Sequence, residues 1–597
     1  MKHNQKLPPF TRALIAHGKE KNCPFATPGH HEGDFFRRTK EGRPFYKALG
    51  PALFRLDVSD SDCFLGDPSS HEGLIGDAEK RAAQVFHADR AWFVTGGASA
   101  SNRIVCQSLL SEKDLVLFDR NNHKSVYQGA LLQAGATPIY LPSLRNERGM
   151  IGGVPAEALS ETAIRKAIAR VAPDKAKEPH PFRLACLQLC TYDGIFASPA
   201  FLLERLGPLC EYILFDAAWA GYEPWTAPLC QCSPLTLPLT EKSPGLLVTQ
   251  SVHKQLAGFS QTSQILKKDS HIKDKSYYLP DDALDSVFLM NSSTSPYFPL
   301  LAGLEMNVFL HEKEGDKLWK RAVDFGITLR EEILSRCRFI RPFLPSEIDG
   351  KPWISLSKKK VARSPALWSL SPAHPWHGFT SLQKNQYLLD PCKVLLMTDA
   401  ESISIPAPLL SLYLQDHQIT PEKNDWYSLL FLAEPGDNQK KASHLAKTLA
   451  AFEDALEANR TARDIIPSFT GKGRLQDVTG AINYFLASHH AVALQKKMFE
   501  SLPRRAMSPK EAHQKFLRRE GKLMPLKELA GMTALECVLP YPPGIVAVNA
   551  GEIWTEDAVK YFLCLKELSE KFPAMAPEMS GLHDLADEEN QLAAYVE

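Results

Sequence analysis

The chain has 597 residues, with 69 Lys plus Arg balanced by 69 Asp plus Glu. Zero net charge and no clustered basic stripe leave no electrostatic case for nucleic acid. Apolar residues make up 44% and no run of 18 of them occurs, so no membrane span is expected.

Residues 1–22 read as a polar N-terminal arm, whose start lacks the apolar core of a signal peptide. From about residue 50 to 300, helical patterns alternate with strand-like runs at 91–94, 115–118, 139–141, 184–189, 212–215 and 246–249. Stretches such as 155–171 are long enough for crossover helices, and Pro179-His180-Pro181 marks a turn. Repeated strand–helix–strand units predict an α/β domain over 23–303, with a mostly parallel sheet covered on both faces. Residues 304–335 read as a long helix, with Leu304, Val308, Phe309, Leu318, Ala322 and Ile327 among its apolar positions. It leads a smaller α+β domain, 304–461, with strands at Phe339-Ile340 and at 393–396. Ser402, Ser404, Pro406 and Pro408 should break regular structure there. A third region, 462–597, is expected to be mainly helical up to the loop 540–544. The 12 cysteines are scattered, and Cys230-Gln231-Cys232 has no partner pair at zinc spacing, so no metal is expected. A reduced, cytoplasmic compartment fits them best.

Four segments carry chemistry. Thr95-Gly96-Gly97-Ala98-Ser99-Ala100-Ser101-Asn102 follows a strand and should open a helix. Glycine lets the backbone approach a phosphate, and helix N-terminal amides point at it, with Ser99 as the hydroxyl donor. His123 lies just past a strand end, where a flat imidazole could stack on a ring; an exposed helix-capping histidine is the plainer reading. Asp216 ends a strand and could keep a pyridine nitrogen protonated, since a close opposite charge favours the charged form. Trp219 is either a site wall or plain core. In Ser251-Val252-His253-Lys254, Ser251 and His253 are placed to contact phosphate and Lys254 to form an imine. Such a lysine and aspartate are what pyridoxal phosphate (PLP) chemistry needs most, at strand ends where α/β sheets bind ligands.

The order of these segments, together with 117–125, 133–138, 213–216, 248–265, Ser293-Thr294-Ser295-Pro296, Trp376-His377-Gly378-Phe379, Asp390-Pro391-Cys392-Lys393, Thr420-Pro421-Glu422-Lys423 and 539–544, resembles the bacterial ornithine/lysine/arginine decarboxylases. The resemblance spans about residues 24 to 580 and is strongest to the ornithine enzymes. It implies a fold-type I, aspartate aminotransferase-like large domain, plus a smaller α+β domain and a C-terminal α+β domain. It implies PLP as cofactor, and decarboxylation of L-ornithine to putrescine and carbon dioxide through a Lys254 Schiff base and a quinonoid. Lys254, Asp216, His123 and His253 would be catalytic. Gly97, Ala98, Ser99, Ser251 and His253 would surround the phosphate, with His123 on the ring, Trp219 lining the pocket and Thr294 reaching a neighbouring subunit's phosphate. Glu422 would hold the distal ammonium of the substrate as a buried acid. Without the resemblance, Glu422 and Lys423 would read as a surface ion pair.

Two departures stand out. Close relatives carry a hydroxyl where this chain has Ala98, which should weaken cofactor retention by about 1 kcal/mol. The family's N-terminal wing, which mediates higher assembly, has no counterpart here, so a homodimer with shared sites, or a tetramer, is expected in place of decamers. Lysine or arginine decarboxylase activity is the nearest alternative, since one methylene is worth only about 1–3 kcal/mol of discrimination. An idle PLP-binding paralogue with a regulatory role is the alternative of a different class. An aminotransferase fits less well, because no arginine matches that group's substrate-carboxylate site.

Overall fold

The computed structural model describes residues 6–20, 22–59, 65–348, 350–573, 575–585 and 591–597. A sheet of seven strands lies at its centre. These are β1 (Arg90–Val94), β2 (Leu115–Asp119), β3 (Thr137–Leu141), β4 (Phe182–Gln188), β6 (Cys210–Asp216), β7 (Gly245–Gln250) and β8 (Ser263–Lys268), with β5 (Ile195–Ala197) pairing elsewhere. Their order is β1-β8-β7-β6-β4-β2-β3. From β7 across to β3 every pairing is parallel; β8 runs antiparallel to both neighbours. Strands buried on both faces need continuous apolar runs, and β2 and β6 supply them as Leu-Val-Leu-Phe and Tyr-Ile-Leu-Phe. All six runs expected as strands are strands, each extended by a residue or two at one or both ends, except that 189 falls just outside β4.

β8 went unrecognised because Ser-Gln-Ile-Leu-Lys-Lys looks too polar for an inner strand. Lys267 is nevertheless buried, because Asp269 (3.1 Å) and Asp281 (2.7 Å) neutralise it and Leu279 O accepts from it.

The expected arm carries helix α1 (Pro9–His17), which buries Phe10 and Leu14; residues 1–5 and 21 lie outside the described residues. Its first amides, at Phe10 (3.0 Å) and Thr11 (2.7 Å), donate to the buried Glu305 carboxylate. Helix α2 (Gly97–Leu109) opens directly behind β1. The long helix is α3 (Phe298–Arg336), beginning six residues before the expected start, with Pro299 in its first turn, where a missing N–H costs nothing.

Two local expectations are corrected. Phe339-Ile340 is not a strand, because the backbone N–H groups of Arg338, Phe339 and Ile340 all donate to the buried Glu453 carboxylate at 2.6–2.9 Å. The strand comes two residues later, at Arg341–Pro342. Pro408 does not break structure either; it sits in the first turn of the helix Ala407–Asp416. Residues 393–396 do form a strand, Lys393–Met397, paired with Ser428–Leu432. Cys230-Gln231-Cys232 lies in a short 3-10 turn, with Cys230 exposed and Cys232 buried.

The C-terminal stretch packs back on the main sheet. Arg120 and Glu552 form a buried bidentate pair (2.7 and 2.8 Å), and Arg120 also donates to Ala547 O at 3.1 Å. No helix among the described residues is long and apolar enough to cross a membrane.

Candidate active site

The carboxyl ends of β1, β2, β4, β6 and β7 open into a cavity of about 200 Å³. Gly97, Ala98, Ser99, His123, Asp216, Trp219, Ser251, His253 and Lys254 all line it. Thr294 and Glu422 do not.

Gly97 begins α2 at φ +71°, a conformation that favours glycine. No side chain caps this 13-residue helix; Gly97 N donates to Gln261 O at 2.8 Å, and the amides of Ala98 and Ser99 that follow are placed for a ligand. His253 Nδ1–H donates to Thr262 O at 2.8 Å, which leaves Nε2 for the cavity. Burial lowers its pKa, and the neighbouring Lys254 adds to that. A phosphate dianion at Nε2 would reverse the balance by favouring the imidazolium.

Asp216 is buried at the end of β6, with Oδ1 accepting from Ala218 N (3.0 Å) and Oδ2 from Asn102 Nδ2 (2.9 Å). Burial still raises its pKa, against those two hydrogen bonds and Lys254. Asn102 is itself oriented, accepting from Thr249 Oγ1 at 2.6 Å and donating to Ser125 Oγ at 3.1 Å.

Lys254 follows β7, and its Nζ stands 3.9 Å from the centre of the Trp219 ring. Burial pushes its pKa down to about 8; Asp216 and Glu422 oppose that and Lys393 reinforces it. A lysine so lowered is a better nucleophile at neutral pH.

His123 is the expected helix-capping histidine, but it is not exposed. It caps the short helix Lys124–Tyr127, accepting at Nδ1 from Ser125 N, and lines the cavity. Burial first, then Lys254 and Lys124, push its pKa down to about 3, so the ring stays neutral. Gly544 closes over it: a Cβ there would come within 3.1 Å of His123 Cδ2. Lys124 N donates to Gly544 O at 3.1 Å, and Tyr541, Pro543 and Ile545 complete the cavity wall.

Glu422 departs from expectation. It is exposed in the single chain, not buried. It is not paired with Lys423 either, since Lys423 is buried against Asp193 at 2.6 Å. Glu422 Oε1 instead accepts from Tyr192 OH at 2.9 Å, and Tyr192 lines the cavity against Trp219, ring centres 4.5 Å apart. Thr294 is exposed and outside the cavity.

Sequence reasoning missed Asn102, Ser125, Tyr192 and Tyr541. Asn102 carried a signal, because it stands three residues after Ser99 and four after Ala98 on one helical face. Tyr192 carried none.

The residues present fit PLP. Burial has raised the pKa of the Asp216 carboxylate despite Lys254 nearby, and a protonated ring nitrogen against it would favour the charged form. Uncapped helix amides with Ser99, Ser251 and His253 suit a phosphate, and a buried amine suits an aldehyde.

Known proteins resemble this chain over nearly its whole length. Residues 8–441 match the family described as Orn/Lys/Arg decarboxylase, major domain, and residues 492–597 match its C-terminal domain. The inducible ornithine decarboxylase of Escherichia coli is 44% identical over 99% of this chain and 84% of its own. The constitutive ornithine decarboxylase of the same organism is 43% identical over 97% of this chain and 84% of its own. Among solved structures, lysine decarboxylase A of Pseudomonas aeruginosa superposes with a TM-score of 0.89 at 30% identity, covering 100% of this chain and 81% of that one.

Proposed function

Because this chain belongs to the Orn/Lys/Arg decarboxylase family, we propose that it decarboxylates L-ornithine to putrescine, with PLP held at Lys254. The observation that carries this reading is the convergence of Lys254, Asp216, His123 and the uncapped start of α2 on one cavity. Bound there, PLP supplies an electron sink for the bond to the departing carboxylate.

The chain's own residues supply the rest. Lys254 Nζ would hold the cofactor through its aldehyde and, with its lowered pKa, could give way to the substrate amine. Asp216 holds the proton on the ring nitrogen, and Asn102 keeps the carboxylate aimed. Neutral His123 would face the cofactor's ring from the cavity wall. The amides of Ala98 and Ser99, with the Ser251 hydroxyl and His253 Nε2, bind the phosphate. The segment Tyr541–Ile545 excludes water, and this favours loss of a charged carboxylate. Lys254 Nζ would return the proton to the α-carbon; His253 could do so only where its Nε2 is not engaged by the phosphate. Glu422, held by Tyr192, meets the distal ammonium. The missing hydroxyl at Ala98 leaves the phosphate the backbone amide at that position.

We read the chain as a large PLP-binding domain over 23–303, a small α+β domain over 304–461 and a C-terminal domain over 462–597. It works as a homodimer in the cytoplasm. Phe25, Phe35, Phe259 and Met290 are large, apolar and exposed, as a surface covered by a second copy would be. Thr294, exposed and off its own cavity, is available to the other site. The 11 described cysteines are all free, which suits a reduced compartment.

Ornithine is favoured over lysine because the relatives at 43–44% identity are ornithine decarboxylases, whereas a lysine decarboxylase of Pseudomonas aeruginosa is 31% identical. The test is carbon dioxide release by the PLP-loaded protein from ornithine, lysine and arginine at equal concentration. Preference for ornithine is expected; preference for lysine or arginine would refute the substrate and leave the site standing.

A further inference from the structure

The segment Asp390-Pro391-Cys392-Lys393 has no role in the chemistry above, yet it forms a fully buried charged cluster behind the cavity. Lys393 Nζ lies 2.8 Å from Asp390 Oδ2, 2.7 Å from Trp219 O, 3.1 Å from Tyr222 OH and 3.4 Å from Cys190 Sγ. Both charged side chains are wholly shielded from solvent. Apolar residues of similar volume generally stabilise such a position as well or better, so stability alone does not explain the pair.

Its contacts point to the site. Trp219 and Cys190 line the cavity, and Trp219 packs on Lys254. The Tyr222 hydroxyl donates to Asp390 Oδ2 and lies 3.1 Å from the Gln255 side-chain amide, next in sequence to Lys254. Tyr222 is fixed in turn by stacking on Trp319, 4.0 Å between ring centres. Asp390 Oδ1 accepts from Cys392 N at 2.8 Å. Arg330 of α3 grips the loop, donating to Pro391 O (2.7 Å) and Lys393 O (2.8 Å). A rigid ammonium thus reaches the backbone on one side of Lys254 and, through Tyr222, the side chain on the other.

We propose that Lys393 is a positioning residue: paired with Asp390, it sets Trp219 and Gln255 on either side of Lys254 so that the cofactor anchor is held in place. This role rests on the PLP reading of Lys254 given above. It also places a second cation close enough to Lys254 to favour the neutral amine.

The test compares wild type, Lys393→Met and the double variant Asp390→Asn/Lys393→Met, all loaded with PLP. Three quantities are measured: the cofactor's dissociation constant by equilibrium dialysis, the pH dependence of its bound absorbance, and the melting temperature. The single variant leaves Asp390 without its cation and is expected to lose stability. The double variant removes the pair together and is expected to melt near wild type. Both should bind PLP at least roughly tenfold more weakly, because Trp219 O has lost its donor. In the single variant the absorbance transition should also move to higher pH, since the cation near Lys254 is gone; in the double variant it should stay close to wild type.

A double variant that melts and binds PLP like wild type would overturn the positioning role while wild-type uptake upheld the reading beneath it. A wild-type protein that takes no PLP at Lys254 would overturn both.

Discussion

Replacing Asp216 by Asn should separate cofactor binding from folding. In the cofactor-free protein Asp216 is buried, its pKa is raised, and two donors, Ala218 N and Asn102 Nδ2, satisfy it. An asparagine offers one oxygen where the carboxylate offers two, so one of those donors loses its acceptor, at about 1 kcal/mol. Against that, the fold no longer buries a charge. The two effects nearly cancel, and the cofactor-free variant should melt within a few degrees of wild type. The cofactor loses a charge-assisted hydrogen bond to its ring nitrogen, worth about 1.5–3 kcal/mol. That corresponds to a roughly 10- to 150-fold rise in its dissociation constant. Turnover at saturating PLP should fall by at least about 100-fold, because the ring no longer keeps the proton that lets it accept electrons. Equilibrium dialysis, thermal melting and carbon dioxide release on one preparation measure all three. A variant with wild-type affinity and turnover would refute the role given to Asp216. A variant that simply unfolds would refute the balance of burial terms.

Further predictions concern other parts of the site. Lys254 titrates at about 8 in the fold against roughly 10.4 in an unfolded chain, so between these values only the unfolded chain holds the proton. The cofactor-free protein should therefore gain stability as pH rises through that window, and Lys254→Met should lack this increment when urea midpoints are compared. Arg120→Met leaves the buried Glu552 without its cation, with only Asn549 N still donating to it, and should cost about 3–5 kcal/mol in urea unfolding, most of it recovered by Arg120→Met/Glu552→Leu. Glu422→Gln should raise KM for ornithine by about 10-fold or more while the cofactor's dissociation constant stays put, and Tyr192→Phe should raise KM by less, since it removes only the bond that holds Glu422.

Much of the central sheet was legible because its parallel strands must be apolar along their whole length, as β2 and β6 are. Lys254, Asp216 and His123 were legible because each sits at or just after the end of such a strand, where loops reach a common edge. What was hidden depends on partners far away in sequence. Lys267 can sit in the inner strand β8 because Asp269 and, from the next α-helix, Asp281 neutralise it. Glu453 takes the amides of Phe339 and Ile340 and delays a strand by two residues. Local propensity could not show either. Glu422 and Lys423 are neighbours in sequence, but the chain turns one outward to Tyr192 and the other inward to Asp193, which no spacing rule indicates.

The most direct test of the account is borohydride reduction of the PLP-loaded protein followed by peptide mass spectrometry. The account predicts a single pyridoxyl adduct, on Lys254, that disappears in Lys254→Ala. An adduct on another lysine, or none in a protein that still releases carbon dioxide from ornithine, would contradict it.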